Sequence, residues 1–411
     1  MLRIAIIGGG AAGLMVAATI LEINPSARLE FFERNSELGK KVKISGGGRC
    51  NVTTGITDIK TVLTKYPRGG KFLNSAMHAF SPSDMVEWVE AHGVPLKVEE
   101  DLRVFPVSNQ SEDIVGIFAK LLDTPNVDIL LNTSVTSIKR IKKEFHISTK
   151  ESAKPIIADR VIITTGGQAY RKTGSTGDGY AFAQSLGHTI TPLAPSLSSF
   201  LTAETWPAEI SGVSFPYAAF SVPNHNAKSE GSFLFTHKGI SGPAVFALSS
   251  QLAFEKFDVQ HPIEVRIDLF PDVKIDTLMK KIIALVQMSP KKSVANLIST
   301  MIPKSLSDII CSELGLDPKR HAIEYSKKQL EETITHLKQL NLHIVGRGAG
   351  DEFVTAGGVD LTEVDPKTME SKLCPSLFFA GEILDIDGFT GGFNLQASWA
   401  TGRAAGLNVS Q

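Results

Sequence analysis

Cysteine is scarce: three in 411 residues, at Cys50, Cys311 and Cys374. They form no C-x-x-C, which argues against a disulfide framework, a zinc ribbon or a dithiol redox pair and points to a reducing cytoplasm. Net charge is nearly absent as well. The 42 Lys+Arg almost cancel 43 Asp+Glu, leaving a formal −1, so no global polycation draws the chain to nucleic acid, although a local basic patch can. The ten histidines are scattered without metal-ligand spacing, and no metal site is expected. H-E-x-x-H and G-x-S-x-G are missing, which leaves metalloprotease and hydrolase readings unsupported. Long apolar runs are also rare. Only Ile4 to Leu21 approaches the roughly 18 uncharged residues of a membrane span. Gly8, Gly9 and Gly10 inside it suit neither a span nor a signal peptide, so no membrane partner is expected. There is no internal repeat and no long low-complexity segment.

Glycine is abundant, at 35 residues, and clustered. Hydrophobic residues at 42% and charged residues at 21% fit a chain with a sizeable core, in roughly two or three domains. The first cluster follows the short apolar run Ile4 to Ile7, which reads as a buried parallel strand. Gly8, Gly10 and Gly13, with Ala11 and Ala12 between the last two, match G-x-G-x-x-G. A helix is expected over Leu14 to Ile23, then a second strand, Arg28 to Phe32, ending at Glu33. Gly8 permits a tight turn, Gly10 lets backbone approach a pyrophosphate, and Gly13 allows close helix–strand packing. The helix N-terminus offers free N–H groups to phosphate, and Glu33 can accept from ribose hydroxyls. Together these parts describe a dinucleotide-binding βαβ unit.

The second cluster favours FAD over NAD. Lys40 to Ile44 leads through Ser45 into Gly46, Gly47, Gly48, Arg49, Cys50 and Asn51. Exposed amides flanked by hydrogen-bonding side chains suit a loop along a phosphate or ribityl chain. Cys50 reads as a small residue packed beside the cofactor, with a covalent flavin link as the alternative. Val161 to Ile163 is a further strand, ending in Thr164, Thr165, Gly166 and Gly167. Gly174 to Gly179 reads as a turn and helix cap, with a second phosphate loop as the alternative. At the far end, the strand Leu377 to Ala380 runs into Gly381 and Glu382, with Asp385 close behind. Gly391, Gly392, Phe393, Asn394, Leu395 and Gln396 open a last helix. The acid can hold a ribityl hydroxyl, and the helix N-terminus can face the flavin edge that becomes negative on reduction.

These segments, with KISGGGRCNVT, GSTGDGYAFAQSLGH, FTHKGISGPA and AGEILDIDGFTGGFNLQ, resemble the BaiN/RdsA-type NAD(P)/FAD-dependent oxidoreductases of the two-dinucleotide-binding-domain flavoprotein superfamily. The resemblance covers nearly the whole chain. It implies non-covalent FAD and a transient NAD(P)H. It adds Arg34, Lys41 and Val135 to the cofactor contacts named above. It leaves open whether Glu382 or Asp385 meets the ribityl chain. No second complete G-x-G-x-x-G follows a strand, so no separate NADPH domain is expected.

The resemblance also implies an α/β fold in which a Rossmann-like FAD-binding domain is interrupted by an inserted β-barrel-like domain carrying a helical subdomain. The sequence agrees independently. Residues 1–195 read as the first part of the FAD domain. Residues 196–273 alternate short apolar runs with Pro and Gly. Residues 274–342 turn helical, with Leu278, Ile282, Leu285 and Val286 at helical spacing. Residues 343–411 hold a returning insert strand and the rest of the FAD domain. For catalysis at the expected cleft between domains, His237 and Lys238 in a glycine-flanked loop, and Thr355 beside Gly357 and Gly358, are the candidates. A purely structural role is the alternative for each. Two substrate classes stay open: a small organic molecule, or RNA for dihydrouridine formation. RNA has one local hint. From Lys274 to Val345 there are eleven Lys/Arg against seven Asp/Glu, and Lys291, Lys292, Lys319, Arg320, Lys327 and Lys328 can meet phosphates. A solvated helical face is the alternative.

Overall fold

The computed structural model describes residues 2–348 and 352–410. The chain divides into two compact units, one of Met1–Ser196 with Glu352–Gln411 and one of Leu197–Asp351.

The first unit is built on five parallel strands, in the order Leu377–Phe379, Arg160–Ile163, Arg3–Ile7, Arg28–Phe32, Val127–Leu130. Ile4, Ile6, Leu29, Phe31, Val161 and Ile163 are fully buried, as apolar strands covered on both faces must be. The helix Ala11–Ile23 packs along the C-terminal helix Phe393–Val409. Their approach is close because glycine faces the contact. A Cβ on Gly402 would lie 2.7 Å from the Ala12 carbonyl oxygen, and one on Gly406 would lie 2.6 Å from Thr19 Cβ. The two ends of the chain are therefore neighbours. Strands that run parallel share one carboxyl edge, and open α/β sheets bind ligands there. At this edge the chain leaves its strands through Gly8–Gly10, Glu33–Asn35, Thr164–Gly167 and Ala380–Glu382.

Smaller antiparallel sheets flank this one. Val135–Ile141 pairs with Glu144–Thr149, which pairs with Ile156–Ala158. The first pairing extends to Ile141↔Glu144 at the connecting turn. Thr53–Thr54, Arg103–Pro106 and Leu96–Val98 form another sheet.

The second unit is a closed six-stranded barrel in the order Phe200–Thr202, Gly239–Ser241, Lys228–Thr236, Ser214–Ser221, Ile263–Asp268, Leu340–Arg347. Closure removes the free strand edges. Phe200, Phe220, Phe233 and Phe235 fill its interior. Between its last two strands the chain forms the helices Ile275–Met288, Val294–Ile298, Lys304–Glu313 and Lys327–Lys338. Leu278, Ile282 and Val286 form the buried stripe of the first, with Leu285 partly buried beside it. Among the described residues, no helix is long and apolar enough to cross a membrane.

Candidate functional site

Gly8, Gly10 and Gly13 answer to different neighbours. Gly8 has φ +114°, and a Cβ there would sit 2.6 Å from the Thr164 carbonyl oxygen. A Cβ on Gly13 would collide with the Gly8 carbonyl oxygen. These two glycines are demanded by packing. Gly10 is not: nothing lies within 4 Å of where its Cβ would be. No side chain caps the helix that it opens, so the positive helix end, with Ala11, Ala12 and Gly13 in its first turn, faces open space. A phosphate anion fits that cradle.

Glu33 is 8% exposed and braces the same turn. Its Oε2 accepts from Gly9 N at 2.7 Å, and its Oε1 accepts from Asn35 N and Nδ2, each at 2.7 Å. Carboxylate oxygens can accept more than one bond, so Glu33 is held in place with capacity left for a hydroxyl. Arg34 turns to an ion pair with Asp178 and donates to Thr176 Oγ1 at 2.7 Å. Asn35 Nδ2 also donates to Thr173 O at 2.9 Å. The Gly174–Gly179 segment thus packs on Arg34 and Asn35, and Gly177 opens the helix Asp178–Ser185. Val135 is buried at the head of its strand; the preceding Thr133 N donates to Glu33 O at 2.9 Å.

Lys40–Gly48 begins as a helix and kinks where glycine allows it. Ser45 leaves the helical region at ψ 151°, and Gly46 and Gly47 take φ +58° and +71°. Gly48 follows at +88°. Nothing lies near the Cβ positions of Gly47 and Gly48, so this stretch presents bare backbone. Gly46 instead packs on Phe105. Arg49 stacks over Phe105, 3.8 Å from the ring centroid, and pairs with Glu99 at 2.6 Å. Cys50 is fully buried with its thiol pushed up to about 12 by burial. It is thus no thiolate nucleophile at neutral pH. With its amide satisfying both neighbours, Asn51 Nδ2 donates to Thr53 O at 3.1 Å and Oδ1 accepts from Gly392 N at 2.9 Å. That contact ties this cluster to the C-terminal one.

Glu382 follows Gly381 at the end of the strand Leu377–Phe379. It pairs with Lys41 at 3.0 Å and accepts from Thr355 N at 2.9 Å. A Cβ on Gly381 would lie 2.8 Å from Ala12 Cβ, which places Glu382 next to the uncapped N-terminal helix. Asp385 is different. Its Oδ2 accepts from Thr191 Oγ1 at 3.1 Å, while Oδ1 is sealed from solvent and has no well-formed hydrogen bond among the described residues. Burial raises its pKa above the usual carboxylate value. Gly391 precedes Gly392, which takes φ +89°, and a Cβ there would collide with the Thr53 carbonyl. The helix Phe393–Val409 behind it has no side-chain cap. Asn394 clamps Gly388 by two 2.8 Å bonds. Gln396 is fully buried, accepting from Thr53 Oγ1 at 2.7 Å and donating to Phe80 O at 3.0 Å. Phe393 is buried against Tyr66, and Leu395 is partly buried. Asn394 and Gln396 thus bond within the fold and Phe393 packs in its core, while no side chain caps the helix end that they open.

Of the catalytic candidates, Thr355 is buried. Its Oγ1 accepts from Gln168 N at 2.8 Å and Ala169 N at 3.2 Å, so it clamps the Thr165–Gly166–Gly167 turn. His237 and Lys238 belong to the other unit, exposed in the turn between Lys228–Thr236 and Gly239–Ser241. Sequence reasoning missed Asn35 and the Arg68–Asp387 ion pair with Ser196 Oγ donating to Asp387 at 2.6 Å. Only Asn35, two residues after Glu33, carried a local signal. Among the described residues, no group of three or more His, Cys, Asp or Glu is placed to hold a metal.

The HI0933-like protein Rossmann domain model matches residues 2–408. The chain is 31% identical, over all of both chains, to a 3-dehydro-bile acid delta(4,6)-reductase of Clostridium scindens. It is 29% identical, over 99% of this chain and 98% of the relative, to a ribosomal RNA dihydrouridine synthase of Haemophilus influenzae. Among solved structures, a 3-ketosteroid delta1-dehydrogenase of Sterolibacterium denitrificans superposes with a TM-score of 0.50 at 11% identity, covering all of both chains; at that identity it speaks to the fold alone.

Proposed function

We propose that this chain, which belongs to the HI0933-like protein Rossmann domain family, reduces a carbon–carbon double bond conjugated to a carbonyl in a small organic molecule. It is a flavoprotein oxidoreductase, and its cofactor is FAD. When bound, the flavin supplies the hydride. The names of both relatives describe saturation of a carbon–carbon double bond, which supports the reaction class.

The chain's residues do the remaining work. The bare helix end at Gly10 to Gly13 would hold the pyrophosphate, and Glu33 the adenosine ribose. We assign the ribityl contact to Glu382, because its carboxylate keeps 16% exposure whereas Asp385 Oδ1 is sealed. Lys41 and Thr355 N hold Glu382 in one orientation. The uncapped end of the helix Phe393–Val409 would favour the negative charge that develops on a reduced flavin held there. Reducing the double bond also needs a proton at the carbon that receives no hydride. His237 is our candidate donor, imidazole being the commonest general acid, with Lys238 beside it; Thr355 is a positioning residue. We place the enzyme in the reducing cytoplasm, since Cys50, Cys311 and Cys374 are free and buried.

One observation carries the choice of a small molecule. Half of the six basic residues that could meet phosphate carry a carboxylate partner one helical turn on, Arg320 with Glu324 at 3.1 Å, Lys327 with Glu331 at 3.6 Å and Lys328 with Glu332 at 3.9 Å, as does Lys304 with Asp308 at 2.7 Å. Paired lysines offer little to phosphate. RNA is the second reading, favoured by Lys291 and Lys292, which are exposed and make no ion pair among the described residues. The test mixes anaerobically reduced enzyme with a conjugated steroid ketone or with ribosomal RNA, in a stopped-flow instrument. The ketone should restore the oxidised flavin spectrum and RNA should not. Reoxidation by RNA alone, weakened by Lys291→Glu/Lys292→Glu, would replace the first reading with the second.

A further inference from the structure

Two large aromatic side chains sit side by side and exposed in the unit that carries the cofactor residues. The rings of Tyr170 and Phe353 have centroids 5.7 Å apart at 55°, and the residues are 37% and 38% exposed. Paired exposed rings offer apolar faces on which a planar ligand can stack. Tyr170 holds φ +53° and ψ +51°, a left-handed conformation uncommon for a bulky side chain. Such conformations cluster at functional sites.

Both rings are rooted in one clamp. Ala169, next to Tyr170, donates its N–H to Thr355 Oγ1 at 3.2 Å, and Thr355 lies two residues beyond Phe353. The aromatic pair is thereby fixed relative to the Gly166–Gly167 turn at the carboxyl edge of the parallel sheet. Arg171 and Lys172 follow Tyr170 directly and are exposed. Among the described residues, Arg171 donates only to neutral oxygens, Gln168 Oε1 at 3.2 Å and Thr176 O at 3.4 Å. The neighbouring Asp178 is taken up by Arg34. Aromatic faces beside cations fit a planar heteroaromatic base that carries phosphate.

We propose that Tyr170 and Phe353 receive one base of a nicotinamide dinucleotide, with Arg171 and Lys172 against its phosphates, and that the reduced dinucleotide docks here to load the flavin. The proposal rests on the flavoprotein reading above. The donor gives a hydride from its dihydropyridine C4, with both electrons, and leaves as the oxidised dinucleotide. No second G-x-G-x-x-G is present, so this donor needs a site without a Rossmann loop of its own. One aromatic pair and two cations match a base and a pyrophosphate. A polynucleotide track would use more of each.

Tyr170→Ser, Tyr170→Phe and Arg171→Gln/Lys172→Gln are compared with the parent by two readouts. The first is calorimetric titration with NADP+ and NAD+, which requires no electron transfer. The second is the rate of anaerobic flavin bleaching against NADPH and NADH concentration. Tyr170→Ser and the double variant should weaken dinucleotide binding about tenfold or more, as loss of a stacked anchor or charge-assisted contacts does. Tyr170→Phe, which keeps the ring, should stay within about twofold. Flavin content and bleaching by dithionite should match the parent in all. Unchanged dinucleotide affinity in the double variant would overturn the proposal. So would intact NADP+ and NAD+ binding together with lost binding of a single-stranded RNA oligomer. If Tyr170→Ser does not fold, the exposed double variant decides. A protein devoid of flavin would defeat the reading above, while the calorimetric titration would still decide this one.

Discussion

Gly10 and Gly13 stand three residues apart and respond oppositely to a methyl group. A Cβ on Gly13 would collide with the Gly8 carbonyl, whereas one on Gly10 would meet nothing within 4 Å. Gly13→Ala should therefore fail in the protein itself. Overpacking costs about 1–3 kcal/mol or more, and in a domain of this size each kcal/mol moves Tm by roughly 2–4 °C. Gly10→Ala should lower the Tm of the flavin-free protein by only about 2–4 °C, since alanine is a poorer N-cap than glycine by roughly 1 kcal/mol, while φ −85° suits any residue and nothing crowds the methyl. It should weaken FAD at least about tenfold, or ~1.4 kcal/mol, because the methyl would stand in the cradle proposed for the pyrophosphate. Melting curves of the flavin-free variants and FAD titrations separate the two. Equal FAD affinity in Gly10→Ala and parent would move the pyrophosphate elsewhere.

At the scale of elements, the excursion of residues 361–376 is latched to the sheet through His188. Its Nδ1 lies 3.1 Å from Glu363 Oε2 and its Nε2 lies 2.8 Å from Ser371 Oγ. Ser371 Oγ already accepts from Cys374 N at 2.7 Å and Leu373 N at 3.1 Å, so its proton goes to Nε2, and the His188 ring is neutral with its own proton directed to Glu363. Ser371 is buried, which makes this a latch rather than a nucleophilic triad. Burial holds the His188 pKa below its usual value, with Glu363 opposing. A depressed pKa in the folded state means that stability is complete above the unfolded value, near 6.5, and is lost as pH falls through the folded one. The Tm advantage of the parent over His188→Gln should thus be largest near pH 7.5 and shrink towards pH 5. A gap that widens on acidification would contradict a neutral buried imidazole.

That latch also shows what local sequence carries and what it does not. The N-terminal βαβ unit was legible because strand, glycines, helix and Glu33 lie within one short stretch whose chemistry is local. The last helix and its Gly391–Gly392 opening were legible for the same reason. His188 lies 175 residues from Glu363 and 183 from Ser371, and Lys41 lies 341 from Glu382. No spacing rule reaches that far. The helical phase of Leu278, Ile282 and Val286 could be read directly, but whether Lys327 and Lys328 stay free for phosphate depended on which face Glu331 and Glu332 share with them. Barrel strands could be recognised singly; their closing order is set by long-range pairing such as Ile263↔Ile344.

For the whole molecule, each unit encloses its own hydrophobic core, and every glycine-rich cofactor segment lies outside Leu197–Asp351. A chain in which a short flexible linker replaces that insert should retain FAD, and it should lose nearly all reduction of a conjugated ketone because His237 and Lys238 leave with the insert. Turnover at the parent rate would remove both residues from the mechanism. Whether the two ends of the chain build one non-covalent FAD site is decided by acid precipitation of the purified protein and assay of both fractions for flavin. Close to one FAD per chain is expected in the supernatant, over a colourless pellet. Flavin fixed in the pellet, or a protein that purifies and reconstitutes without FAD, would contradict it.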